Sequence, residues 1–325
     1  MISTRVFAQF SRLGLVAGVC TAALGCGVES RIDADTSEQV GAVARRPTVL
    51  ASGQVSPCGL ALDGANVYWT TADGKVSKVS INGGTRVTLA SGQSNPCGIA
   101  VDSGRVFWAN SVVSGQVMTV LQSGGTPTAL ATQQGQPLKV AVSGGKVYWT
   151  NISGNTVVSA PVTGGTPTTL AAQQATPDAI TVANGTLYWS SIGGHAIRSL
   201  SLTTPGAPIT TFAEDQDDAV GLRVTADLAL WTNDEIGGVV AQPLDGGSAY
   251  VVAPPSVNST GVTSDAQNVY WTDTVSGTVM SAPLAGGDIT VLATGQAQPA
   301  EIAVDSTSIY WINAAASGSV AKLAK

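Results

Sequence analysis

Short apolar runs recur along this chain, each bounded by polar or glycine-containing segments. One set reads Gly59-Leu-Ala-Leu-Asp63, Gly98-Ile-Ala-Val-Asp102, Lys139-Val-Ala-Val-Ser143 and Glu301-Ile-Ala-Val-Asp305. About eight residues after the start of each comes a run ending in an aromatic pair, such as Tyr68-Trp69 or Tyr148-Trp149. A residue such as Gly64, Gly104, Gly144 or Gly185 lies between the two and suits a tight hairpin turn. A third run follows, as in Gln116–Leu121 and Thr156–Ser159, and then a Gly-Gly pair at 83–84, 124–125, 164–165, 246–247 and 286–287. The pair reads as the turn into a short fourth strand, as at Thr128–Ala131 and Thr168–Ala171. Beyond residue 30 no sustained helical periodicity appears, and 38 Gly and 15 Pro interrupt every run.

The tryptophans set the period. Trp69, Trp108, Trp149, Trp189, Trp231, Trp271 and Trp311 are separated by 39, 41, 40, 42, 40 and 40 residues. Four antiparallel strands per unit of about 40 residues is the pattern of a β-propeller blade. The chain is therefore expected to be all-β, a seven-bladed β-propeller over residues 47–325. The last repeat ends after its third strand, Ser319–Leu323, and an orphan run at 47–52 resembles every other fourth strand. The N-terminal strand is expected to pair into the last blade and close the ring, which removes two exposed sheet edges. One Trp per blade at a fixed strand position is expected to pack between neighbouring blades.

The aromatic motif resembles the YWTD repeats of the low-density-lipoprotein-receptor propellers. The match is carried by Tyr270-Trp-Thr-Asp273 and Tyr148-Trp-Thr-Asn151. The receptor propellers have six blades, and most copies here replace the final Asp, as at Asn110, Asn151, Asn233, Asn313 and Thr71. The resemblance implies the fold and carries over no receptor partner.

Residues 1–26 stand apart. Arg5 and Arg12 precede a short apolar stretch, Leu13–Leu24, that ends Ala23-Leu24-Gly25-Cys26. This looks like a bacterial lipoprotein signal with Cys26 as the lipidated residue, the alternative being an ordinary secretory signal. Residues 27–46 read as a flexible linker. The expected location is the bacterial cell envelope, lipid-anchored or secreted. Export makes a disulfide possible between Cys58 and Cys97, which occupy the same position in neighbouring repeats. The alternative is two small buried residues inherited from one duplicated blade.

Charged residues make up 11% of the chain, with a net charge of −6. No basic stripe for nucleic acid is present, and membrane attachment rests on Cys26 alone. Catalytic hardware is sparse: His195 is the one histidine, and no metalloprotease, phosphate-loop or nucleophile-elbow motif occurs. The better signal is departure from the repeat. First strands should line the central channel, where small residues dominate. Lys139 and Glu301 replace the Gly of Gly59, Gly98 and Gly261; Arg223 replaces an Ala; and Asp178 stands where Cys58 and Cys97 stand. These four are the candidate ligand-binding residues, expected to form either a polar channel mouth or a sealing salt bridge. The acidic run Glu214-Asp215-Gln-Asp217-Asp218 could hold Ca²⁺; no metal site is assigned. Asp63, Asp102, Asp265 and Asp305 read as turn residues. The expected function is a lipid-anchored, non-enzymatic propeller that binds a protein, peptide or glycan. The alternative is a metal-dependent propeller hydrolase, lactonase or lyase working at the channel.

Overall fold

The computed structural model describes residues 46–216, 218–233, 238–253 and 258–325. The expected signal sequence, Cys26 as its expected lipidation site, Asp217 and nearly all of the expected linker lie outside the described residues.

Seven four-stranded antiparallel sheets form the molecule. Six are contiguous: residues 57–90, 96–135, 137–171, 177–213, 219–253 and 259–293 form blades 1 to 6. Blade 7 takes three strands from residues 299–324 and its outermost strand from Thr48–Gln54. Thr48 pairs with Lys322, Val49 with Ala321 and Ala51 with Val320, so the two ends of the fold are joined by one ladder. The only helical element among the described residues is the single turn Ile192–Gly194.

The innermost strands are Pro57–Leu62, Pro96–Asp102, Pro137–Ser143, Pro177–Ala183, Ala219–Val224, Ser259–Ser264 and Pro299–Val304. Each packs beside the next, and the last beside the first, to form the hub. A left-handed residue precedes every one of them: Ser56, Asn95, Gln136, Thr176, Asp218, Asn258 and Gln298 all have φ between 40° and 66°. This turn redirects the chain from the rim of one blade to the hub of the next. Prolines 161, 243 and 283 end third strands, where loss of an N–H suits the end of pairing.

All seven Trp side chains are fully buried. Each lies between sheets; Trp149 of blade 3, for example, packs with Phe107, Ala109 and Leu130 of blade 2. Burying an indole ring in this way is worth up to about 4–6 kcal/mol, an upper bound from area removed from water.

The indole N–H groups are satisfied by a second repeated residue. A Gln 15 positions earlier accepts from Trp69, Trp108, Trp149, Trp189, Trp231 and Trp311, at 2.7–3.2 Å. These are Gln54 and Gln134, at the end of the outermost strand of the preceding blade, and Gln93, Gln174, Gln216 and Gln296, three residues past that strand. Asn110, Asn151 and Asn313 donate to the same Gln oxygens. Blade 6 departs from this scheme: residue 256 is Ser, Asp273 replaces Asn, and the buried Trp271 Nε1 has no partner among the described residues. Asp273 instead accepts from the backbone N–H groups of Val275 and Ser276.

The turn aspartates behave as short acceptors. Asp63 takes the N–H groups of Ala65 and Asn66 through one oxygen and the Tyr68 hydroxyl through the other. Asp265 with Tyr270 and Asp305 with Tyr310 repeat the arrangement. In blade 2 the aromatic residue is Phe107, which has no hydroxyl to offer Asp102.

Candidate functional site

The hub is crowded at one level. A Cβ added to Gly59, Gly98, Gly221 or Gly261 would come within 2.3–2.5 Å of a carbonyl oxygen on the next blade. No real Cβ makes such a contact, so glycine at these positions is a packing requirement. Blades 3 and 7 carry Lys139 and Glu301 at this level, and blade 4 carries Ala179. Lys139 shows the accommodation: its N–H lies 3.3 Å from the Thr150 hydroxyl, against 2.9–3.0 Å for the matching bonds of Gly59, Gly221 and Gly261.

The side chains these two blades add meet each other. Lys139 Nζ forms a hydrogen-bonded ion pair with Glu301 across the hub. The partners are 162 residues apart in the chain and three blades apart around the ring. They line a small cavity of about 120 Å³ together with Gly59, Gly98, Ala179, Gly221 and Gly261. An apolar ring of Leu60, Ile99, Val140, Ile180, Leu222 and Val262 borders the same space.

Asp178 lies one residue earlier on its strand than the glycine level. It is half-buried, and its Oδ1 is sealed from solvent with no hydrogen-bond partner among the described residues. Burial pushes its carboxyl pKa up to about 6; the Lys139 charge pulls it down, while Glu301 and Asp218 push it up again. Burial alone would lower the Lys139 pKa, but the charges of Glu301 and Asp178 outweigh it and hold the ammonium above its ordinary value. Lys139, Glu301 and Asp178 thus form one electrostatic unit, with Asp218 at its edge.

Arg223 does not join it. The residue is two positions beyond Gly221, roughly 7 Å further along the strand, and faces Leu230 in the ladder. It does not line the cavity. Its side chain is exposed, though walled by protein, and lost hydration lowers its pKa with no opposing charge to raise it. Of the four residues expected at the mouth, the structure brings Lys139 and Glu301 into contact and couples Asp178 to their charges from just outside the cavity lining. The physical reason for the miss is axial position, and the repeat alignment carried it: Arg223 replaces an Ala two positions after the Gly that Lys139 and Glu301 replace.

His195 closes the single helical turn in the loop between the second and third strands of blade 4, at φ 46° and exposed. It does not line the channel cavity. Among the described residues, no group of three or more His, Cys, Asp or Glu is arranged to hold a metal ion. A larger groove, about 690 Å³ between blades 2 and 3, is lined by uncharged residues and offers no acid–base group.

A disulfide joins Cys58 to Cys97, with Cα atoms 5.0 Å apart, linking the innermost strands of blades 1 and 2. Sequence reasoning did not single out the Gln residues, the threonines that follow four of the seven Trp, or the coupling of Asp218 to Asp178. The first two were visible as further markers with the same period of about 40 residues.

No protein-family model and no curated protein sequence matches the chain. Solved structures match its fold. Virginiamycin B lyase from Staphylococcus aureus aligns with a TM-score of 0.74 at 16% identity, over 86% of this chain and 99% of that one. A structure of the same lyase with quinupristin carries a histidine-to-alanine change and is described as catalytically inactive. The nidogen/laminin complex, which includes a YWTD-type propeller, aligns at 0.54 and 19% identity over 67% of this chain and 90% of that one. BamB from Moraxella catarrhalis aligns at 0.55 and 17% identity over 82% and 85%. At these identities the likeness is one of fold. It nevertheless corrects the expectation of a non-enzymatic chain: sparse histidine and the absence of familiar motifs do not separate this chain from propellers that are lyases.

Proposed function

We propose that the channel mouth is a ligand-processing site of the lyase or hydrolase class, with Asp178 as its acid–base group. The supporting observation is the Lys139–Glu301 pair at a hub level where the repeat keeps small residues, with the Asp178 carboxyl, one residue earlier on a third blade, coupled to both charges. A cavity of about 120 Å³ is well below the ~300–1,000 Å³ of a pocket that encloses a drug-sized ligand. The ligand therefore lies across the face of the propeller and inserts one polar group. Lys139, held by Glu301, offers a fixed positive donor to a carbonyl or alkoxide oxygen. Asp178, with a pKa of about 6, can take a proton near neutral pH and return it, the role a histidine of ordinary pKa ~6.5 fills elsewhere. This matters because His195 does not line the cavity. The test is a panel of lactones, esters and cyclic depsipeptides, quinupristin included, with intact compound followed by chromatography. Turnover that is lost in Asp178→Asn and Lys139→Met, on a folded protein, is the expected result. No turnover of any member, or turnover indifferent to both changes, contradicts the reading.

We also infer that the protein works in the bacterial cell envelope, tethered through lipid on Cys26. The support is the Cys58–Cys97 bond, a feature of oxidising compartments. Cys26→Ser should move the protein from the membrane to the soluble fraction; continued retention would contradict the tether.

A further inference from the structure

The residue that follows each Trp normally ties two blades at the hub. Thr70 donates to the Cys97 carbonyl at 2.7 Å, Thr150 to Asp178 at 2.8 Å and Thr232 to Thr260 at 3.0 Å; Thr272 donates to Ala300. Each hydroxyl also accepts an N–H from its own innermost strand. Ser190 of blade 4 keeps only the bond within its own blade. Blades 2 and 7 have Ala109 and Ile312 at this place, which cannot make the tie at all. Those two seams, 2/3 and 7/1, flank blades 1 and 2 on either side.

The two non-repeat links of the hub fall around the same pair. The disulfide fastens blade 1 to blade 2. The Lys139–Glu301 ion pair fastens blade 3 to blade 7, the blades that border them. Away from the hub the pair stays anchored: Gln54 of the closing strand accepts from Trp69, and Lys322 of blade 7 donates to the Ile81 carbonyl at 2.9 Å. Gln134 of blade 2 accepts from Trp149 of blade 3.

We infer that blades 1 and 2 form one disulfide-coupled unit whose hub edges can part from blades 3 and 7, so that the redox state of Cys58–Cys97 controls the opening of the channel. This does not require the proposed chemistry. Cys58 is the more open sulfur, being half-buried where Cys97 is 6% exposed. A dithiol reductant attacks there; its thiolate displaces the Cys97 sulfur as leaving group, and its second thiolate then releases Cys58. Two electrons and two protons arrive as two cysteine thiols, and the reductant leaves as its disulfide. With the bond gone, the hub edges of blades 1 and 2 are held by the Thr70 hydrogen bond and by packing of Gly59 on Cys97 and Ile99, and the two hydroxyl-free seams beside them are no longer braced.

The test is hydrogen exchange by mass spectrometry on the full chain, oxidised, reduced with dithiothreitol, and as the Cys58→Ser/Cys97→Ser variant. Exchange over residues 57–62 and 96–102 should rise about tenfold or more in both thiol and serine forms, while 219–224 and 259–264 stay protected. Ala109→Thr supplies the missing hydroxyl opposite the Leu138 carbonyl and should restore protection at 96–102 in the reduced protein; Ile312→Thr serves the same purpose at 57–62 if the first variant does not fold. No change on reduction overturns the inference. So does an even rise across all seven innermost strands, which would make the disulfide a general staple, or failure of both threonine variants to restore protection.

Discussion

Trp149 donates its indole N–H to Gln134 at 2.9 Å, from the second strand of one blade to the outermost strand of the blade before it. The bond is half-buried and repeated in six blades, and Trp271 lacks it among the described residues. Phenylalanine keeps most of the ring and removes the N–H. Trp149→Phe removes one of two donors to the Gln134 oxygen, which keeps Asn151, whereas Trp271→Phe removes a donor that has no described partner. The first should cost more than the second by about 0.5–1.5 kcal/mol, the net worth of one hydrogen bond. Urea unfolding of the two variants checks it; equal losses would show that the Gln bond is immaterial.

Removing residues 47–54 takes away the outermost strand of blade 7 and, with Gln54, the acceptor for Trp69. The sheet edge of Gly318–Ala324 is then open. The melting temperature should fall by several degrees and the protein should self-associate. A truncated chain that melts with the full one, measured by calorimetry, would contradict ring closure.

The propeller was legible in the sequence because its strands are short, uniform and marked by a rare residue. Trp spacing gave the blade count, and the orphan run at 47–52 gave the closure. Axial height was legible too: Arg223 replaces an Ala two repeat positions after the Gly that Lys139 and Glu301 replace, and only Lys139 stands at the level of Glu301. What the pattern did not show was the burial that sets the Asp178 carboxyl apart from the other two charges. The absence of familiar motifs spoke to known chemistries and did not exclude a new arrangement of common charged groups.

Asp305 illustrates an acid-sensitive contact. Burial would raise its pKa, but hydrogen bonds from the Thr307 N–H, the Tyr310 hydroxyl, the Thr307 hydroxyl and the Ser308 N–H outweigh this and lower it. Its folded pKa is therefore below the unfolded value of ~3.9, so its contribution is present at neutral pH and is lost as pH falls below about 4 toward the folded pKa. Tyr310→Phe reproduces the Phe107 arrangement of blade 2. It should cost about 1–2 kcal/mol at pH 7 and less at pH 3. Guanidinium unfolding at the two pH values tests this; a cost that does not shrink in acid would contradict it.

Asp178 has the opposite sign. Its folded pKa of about 6 is above the unfolded ~3.9, so the contribution of Asp178 is fully present below about 4 and is lost as pH rises from there through 6, above which the penalty is complete. Asp178→Asn should raise the melting temperature at pH 8 and leave it nearly unchanged at pH 4. A variant less stable than the native chain at pH 8 would show that the Lys139 attraction outweighs the burial penalty.

The most direct test is the titration of Asp178 itself, followed by its side-chain carboxyl carbon-13 resonance and assigned with Asp178→Asn. The hub geometry gives a midpoint near 6, moving higher in Lys139→Met as the neighbouring positive charge is removed. A midpoint in the ordinary carboxylate range near ~4, unmoved by Lys139→Met, would mean that the three charged residues do not act as one unit and that the channel mouth is not an acid–base site.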